Sequence, residues 1–128
     1  MAVGEVFYFE TNQATGYEGR KKYHVLIDVS AGPPQEYIFM FISTNDYGFD
    51  FPISTEACSC LEYDSYISCG KLVRYDYNEL IALKLTKAKV TLARDVLRQL
   101  YEHLDGHEVL PGKEIAIARA GLAKGFAT

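Results

Sequence analysis

The stretch "YHVLIDVSAGPPQEYIFMFI", residues 23–42, holds two apolar runs on either side of a turn. Residues 23–29 and 36–42 are rich in Val, Ile, Tyr and Phe, side chains that suit a pleated, half-buried surface. The second run is apolar enough to be a central strand. Between them, "SAGPPQ" (30–35) is turn chemistry: Gly32 permits unusual dihedrals, and Pro33 and Pro34 cannot donate to a ladder. The pair therefore predicts two strands joined by a tight connection.

Working outward, "GEVFYFE" (4–10) sets Val6 and Tyr8 against Phe7 and Phe9, a strand with both faces partly covered. Residues 11–22 form a polar loop containing Gly16 and Gly19. Downstream, "STNDYG" (43–48) is a loop and "FDFPI" (49–53) a short strand with Pro52 near its end. "DSYISC" (64–69) and "KLVRY" (71–75) are further strand segments, with Gly70 marking a bulge or bend. Asp64 and Ser65 suit a local side-chain hydrogen bond at the start of the first.

From Thr91 the period changes. Leu92, Val96, Leu97, Leu100, Tyr101 and Leu104 recur at helical spacing, with Thr91 as N-cap and Gly106 as stop. Short strands followed by one amphipathic helix predict a mainly β fold, a small closed barrel or strongly curved sheet carrying that helix. Residues 1–106 read as one barrel domain with its helix, and 107–128 as an Ala- and Gly-rich extension, either a short helix or a tail.

The composition bounds the function. A net charge of −4 argues against the broad basic surface that duplex DNA requires, yet allows a local phosphate site. No apolar run approaches membrane length and no signal peptide precedes the first strand, so a cytoplasmic protein is expected. Three cysteines, Cys58, Cys60 and Cys69, are expected to be free thiols there. The "CSC" at 58–60 does not have structural zinc spacing, and neither metal nor cofactor is expected.

Against this acidic background, Arg20, Lys21 and Lys22 crowd into one glycine-bounded loop, with His24 just beyond. Cleaving RNA through its own 2′-hydroxyl needs a base, an acid and a cation at the crowded phosphorane. Arg20 or Lys22 suits the cation. Ser43 and Thr44 suit phosphate contacts, Glu18 the base, and Tyr17 an acid or a stacking platform. Gly16 and Gly19 let the backbone approach a ligand, and Lys21 and Asn45 complete the substrate-binding set. Tyr63, Tyr66, Tyr75 and Tyr77 are candidates to stack on bases, or to form barrel wall or dimer surface. Each reading has a plain rival. The cations can be solvated surface, Ser43 and Thr44 can cap a turn, Tyr17 can be a packing aromatic, and His24 a core histidine.

"GEVFYFE…TGYEGRKKYHVLI" resembles the opening of MazF/PemK-type toxins, with Gly4, Glu5, Thr15, Gly16, Glu18 and Gly19 in register. "FISTNDYGFDFPI" resembles that family's third strand and hairpin, and "DSYISCGKLVRYDYNEL" its later strand and the approach to its helix. The resemblance spans roughly residues 4–104. It implies an SH3-like barrel, a homodimer, and a metal-independent endoribonuclease that cleaves single-stranded RNA and pairs with a cognate antitoxin protein. The family's catalytic Arg, followed by Pro, falls on Lys22 followed by Tyr23, with Arg20 a nearby substitute. Its third-strand Thr/Ser falls on Ser43, beside Thr44. Tyr17 stands where some members carry His, and Ser68 and Gly70 where some carry Arg and Asp. These departures leave an alternative: a catalytically degenerate barrel that binds a partner protein or RNA.

Overall fold

The computed structural model describes residues 1–11, 13 and 20–127. Strand β1 (Glu5–Glu10) pairs antiparallel with β2 (Lys21–Val29), which pairs antiparallel with β3 (Glu36–Ser43). The β2–β3 connection closes through Ser30, whose N–H donates to the Glu36 carbonyl at 2.8 Å while its hydroxyl accepts from the Glu36 N–H at 3.0 Å. The Pro33–Pro34 peptide within it is cis.

Strand β3 is the spine. Its first half pairs with β6 (Val73–Asp76) and its last residues with β5 (Ser65–Ile67), itself paired with β4 (Phe51–Ile53). At the other side, β7 (Val90–Thr91) pairs with β1. The seven strands form one curled antiparallel sheet, a half-barrel, so the fold is mainly β. The expectation that 36–42 is central is met. Its apolar character answers burial on both faces and pairing on both edges.

Both faces of the sheet are covered because alternation sends two apolar sets in opposite directions. Val6, Val25, Ile27, Ile38 and Met40 face one core, which helices α2 (Arg94–His103) and α3 (Gly112–Phe126) complete with Leu97, Leu100 and Leu122. Phe7, Phe9, Leu26, Phe39 and Phe41 face a second, aromatic core closed by Leu80 of α1 (Tyr77–Ala82). The periodicity of the amphipathic helix is real, but its start differs from expectation. Thr91 lies in β7, and Ala93 is the N-cap without a side-chain hydrogen bond. Thr91 is drawn off by pairing with Glu5 of β1, so it is extended rather than capping.

Residues 112–126, undecided from sequence, form a full helix, α3. Gly121 explains how it sits. A Cβ there would lie 2.1 Å from the Ile27 carbonyl oxygen and 2.5 Å from Asp28 Cβ, so the helix backbone lies directly on β2. Lys124 of the same helix donates to buried Asp28 at 3.0 Å. Helix α1 was not foreseen. It opens with a capping box, Asp76 accepting from the Glu79 N–H and Glu79 from the Asp76 N–H.

All three cysteines are free thiols. Burial pushes Cys58 and Cys69 up to about 12, with Cys60 reinforcing the shift at Cys58, where the two sulfurs lie 3.5 Å apart. Among the described residues, no helix is long and apolar enough to cross a membrane.

Candidate functional site

Strands β1 and β2 set Tyr8 opposite Tyr23, Phe9 opposite Lys22 and Glu10 opposite Lys21. Strand β2 in turn sets His24 opposite Phe41, which brings the start of β2 beside the end of β3 at Ser43. The segment after β1 is anchored where it leaves the sheet. Thr11 and Tyr75 share a hydroxyl–hydroxyl hydrogen bond at 3.0 Å, and Gln13 accepts from the Arg74 N–H at 2.8 Å. The basic residues are therefore fixed by the ends of three strands.

Their meeting point is a cleft of about 260 Å³. Lys21, Lys22, Ser43 and Thr44 line it, facing Tyr8 and Tyr23, with Glu62 and Tyr63 on the wall contributed by the β4–β5 connection. The Tyr8 and Tyr23 rings lie 4.5 Å apart and tilted by 41°. Burial, then the Cys60 thiol and Tyr8, raise the Tyr23 phenol above its ordinary value. It stays neutral at physiological pH and keeps a proton that it can donate in a hydrogen bond. Tyr63 is exposed, and its carbonyl accepts from the Ser65 hydroxyl at 2.9 Å, the local bond expected at this strand start. Asp64 contributes by accepting from the Thr55 N–H at 2.9 Å.

A second cleft, about 390 Å³, shares Tyr8 and Lys21 with the first. It runs past Glu10 to Lys84 and Lys89 in the segment between α1 and β7. The linings of the two clefts, together termed the track, carry Lys21, Lys22, Lys84 and Lys89 with Tyr8, Tyr23 and Tyr63. Another cleft, about 420 Å³ between β4–β5 and α2, is a poor phosphate site, because Asp64 is the charged residue among the described residues lining it.

The structure thus gathers five of the residues chosen from sequence: Lys21, Lys22, Ser43, Thr44 and the stacking candidate Tyr63. Arg20 is exposed and is not among the described residues lining the cleft. Asn45 is exposed too, and its backbone N–H donates to Ser43 Oγ at 3.1 Å, so Ser43 caps a turn while it borders the cleft. Gly16, Tyr17, Glu18 and Gly19 lie outside the described residues. Sequence reasoning missed Tyr8, Tyr23, Glu62, Lys84 and Lys89. For the tyrosines the signal was present, since one hairpin register makes them cross-strand partners. For the two lysines it was not, because only the β1–β7 pairing brings them near Lys21.

His24 belongs to the core. It is wholly buried, stacked 3.8 Å from Phe9, and its Nδ1 donates to the Lys22 carbonyl at 2.8 Å. Burial lowers its pKa to about 3, so it is a neutral aromatic in the sheet. No protein-family model matches the chain, and no curated protein matches it.

Proposed function

We propose that the lysine–tyrosine cleft binds single-stranded RNA and cleaves it, as a divergent toxin of the MazF/PemK kind. The supporting observation is convergence. Lys21, Lys22, Ser43 and Thr44, from separate parts of the chain, line one cleft with Tyr8, Tyr23 and Tyr63. Cations and hydroxyls suit phosphate oxygens, and tyrosine faces suit unpaired bases. In the reaction, a base removes the 2′-hydroxyl proton and the 2′ oxygen attacks phosphorus. The P–O5′ bond breaks, and an acid protonates the leaving oxygen. The products carry a 2′,3′-cyclic phosphate and a 5′-hydroxyl. Lys22 supplies charge at the phosphorane, Ser43 and Thr44 orient it, and Tyr23 is placed to donate a proton. Glu18 or Glu62 takes the 2′ proton. The same reading brings an SH3-like relationship for the half-barrel, a homodimer, an antitoxin partner and a cytoplasmic setting.

The runner-up is a catalytically degenerate barrel that binds RNA or a partner protein, favoured by Lys22 standing where the resembled family has arginine. Lysine lacks the planar fork that grips two phosphate oxygens. Cleavage of a long single-stranded RNA in EDTA separates the two. Wild type is expected to cut and to leave cyclic-phosphate ends, and Lys22→Ala or Ser43→Ala to lose about 10²–10³ in rate, the usual cost of one charge-stabilising contact. Lys22→Arg is expected to cut faster. Each variant is first shown to be folded. Salt-dependent binding without cleavage leaves the degenerate barrel, and neither binding nor cleavage removes RNA from the reading.

A further inference from the structure

Away from the cleft, one donor atom each from Cys69, His103 and His107 lies within 4.8 Å of the others. None of the three lines the lysine–tyrosine track. We infer that these residues form a metal site for one borderline-soft divalent cation of the zinc class, joining the end of α2 to the segment after β5.

The geometry is built rather than incidental. Cys69 is wholly buried, its backbone N–H donating to Asp50 Oδ1 at 3.0 Å and its thiol to the Ile67 carbonyl at 3.3 Å. His103 is the last residue of α2, and His107 follows after the chain turns back, with its N–H bonded to the Leu104 carbonyl at 3.2 Å. Both imidazoles aim Nε2 at a single acceptor, the Phe49 carbonyl oxygen, at 2.9 and 3.1 Å. Two ring N–H groups sharing one carbonyl is the arrangement a cation replaces. Each ring moves its proton to Nδ1, at His107 releasing the long 3.4 Å bond that Nδ1 accepts from the Val109 N–H; the Nε2 lone pairs and the thiolate bind the ion, and the thiol proton leaves to solvent. The Phe49 carbonyl oxygen borders the fourth position.

The surroundings match what such a site needs. Phe51 meets the His103 ring edge-on at 5.5 Å, and Phe49 meets the His107 ring at 5.9 Å. Gly70 lets the Phe49 ring close over the segment, since a Cβ there would sit 2.9 Å from Phe49 Cε2. A tetrahedral zinc with bonds of about 2.0–2.3 Å sets its donors roughly 3.3–3.6 Å apart. Small rotations of two partly exposed imidazoles cover the difference. One sulfur and two imidazole nitrogens favour zinc or cobalt over the oxygen-seeking magnesium and calcium. The inference reverses the expectation from sequence that Cys69 takes no part in metal binding.

The test is titration of the reduced, desalted full chain with Co²⁺ and then Zn²⁺. One equivalent of Co²⁺ is expected to give tetrahedral d–d bands and a thiolate charge-transfer band, both displaced by Zn²⁺. Zinc is expected to raise the melting temperature of the wild type. His107→Gln and His103→Gln should each weaken binding at least tenfold and abolish that rise, and Cys69→Ser should remove the thiolate band. A Cys58→Ser/Cys60→Ser double variant should bind as wild type does. If Cys69→Ser does not fold, the two histidine variants decide, since both side chains are only partly buried. No cobalt bands, a thiolate band that disappears with Cys58 and Cys60, or histidine variants that bind as tightly as wild type would each overturn the inference.

Discussion

His24 shows how one residue can look catalytic in sequence and be structural in the fold. It follows the basic loop directly, where a general base is wanted. Alternation along β2 instead turns it into the aromatic core, stacked on Phe9 and edge-on to Phe39. Its Nδ1–H is satisfied by the Lys22 carbonyl, while Nε2 is buried without a partner among the described residues. An unsatisfied buried acceptor costs about 1–3 kcal/mol, and protonating it costs more. The folded pKa of about 3 lies below the ordinary 6.5, so below pH 6.5 the unfolded chain binds the proton that the folded chain refuses. The contribution of His24 is therefore intact above pH 6.5 and declines as pH falls toward 3. Linkage gives a loss of about 2 kcal/mol between pH 7 and pH 5. Urea unfolding of wild type and His24→Phe across that range should show this slope in the first and not in the second. Parallel pH dependence in both proteins would mean that the imidazole is hydrated or charged in the native state.

Among the elements, α3 is where sequence logic and packing disagree most instructively. Glycine weakens a helix interior by about 1 kcal/mol relative to alanine, and "GLAKGF" (121–126) therefore leaves short helix and tail undecided in sequence. In the fold the same glycines let the helix touch β2 and α2. Gly121 meets the Ile27 carbonyl, and Gly125 leaves room for Val3 and Leu97. Gly121→Ala is expected to destabilise by about 1–3 kcal/mol, the usual cost of overpacking, despite its better helix propensity. Gly112→Ala, with nothing within 4 Å of the new methyl group, should change stability by less than about 0.5 kcal/mol. Denaturant midpoints measure both, and a neutral Gly121→Ala would show that α3 does not seat on the strand. This is also the limit of legibility. Strands β1, β2 and β3 could be read because each side chain reports its own face. Helix α3 could not, because its glycines are explained only by a partner strand far away in sequence. Helix α1 was missed although Asp76 and Glu79 carry its capping signature. Lys21, Lys22, Ser43 and Thr44 were legible as a site, although Lys21 and Lys22 open strand β2 rather than lie in the loop expected at 11–22, because strand ends present all four. Cys69, His103 and His107 were not, because only the fold brings the segment after β5 to the end of α2.

For the whole molecule, the proposed function raises the question of how an acidic chain would hold a polyanion. The net charge of −4 repels RNA at long range, so binding has to come from the local field of the track. That field has a countable source: Lys21 and Lys22 in the first cleft, Lys84 and Lys89 in the second, with Tyr8 and Lys21 shared between them. Glu10 and Glu62 lie on the same walls and confine the cations' reach. A ligand that follows both clefts needs a flexible backbone and unstacked bases, which single strands have and duplexes lack. Each phosphate neutralised on a single strand contributes about −0.7 to the slope of log binding constant against log salt. Four lysines therefore predict a slope of about −3, and Lys84→Ala/Lys89→Ala a slope shallower by about 1.5. Fluorescence anisotropy with a short unstructured RNA at several salt concentrations measures both, with a duplex of the same sequence expected to bind far more weakly. A slope unchanged in the double variant would confine the RNA to the first cleft. A slope near zero in the wild type would remove phosphate recognition from the track altogether.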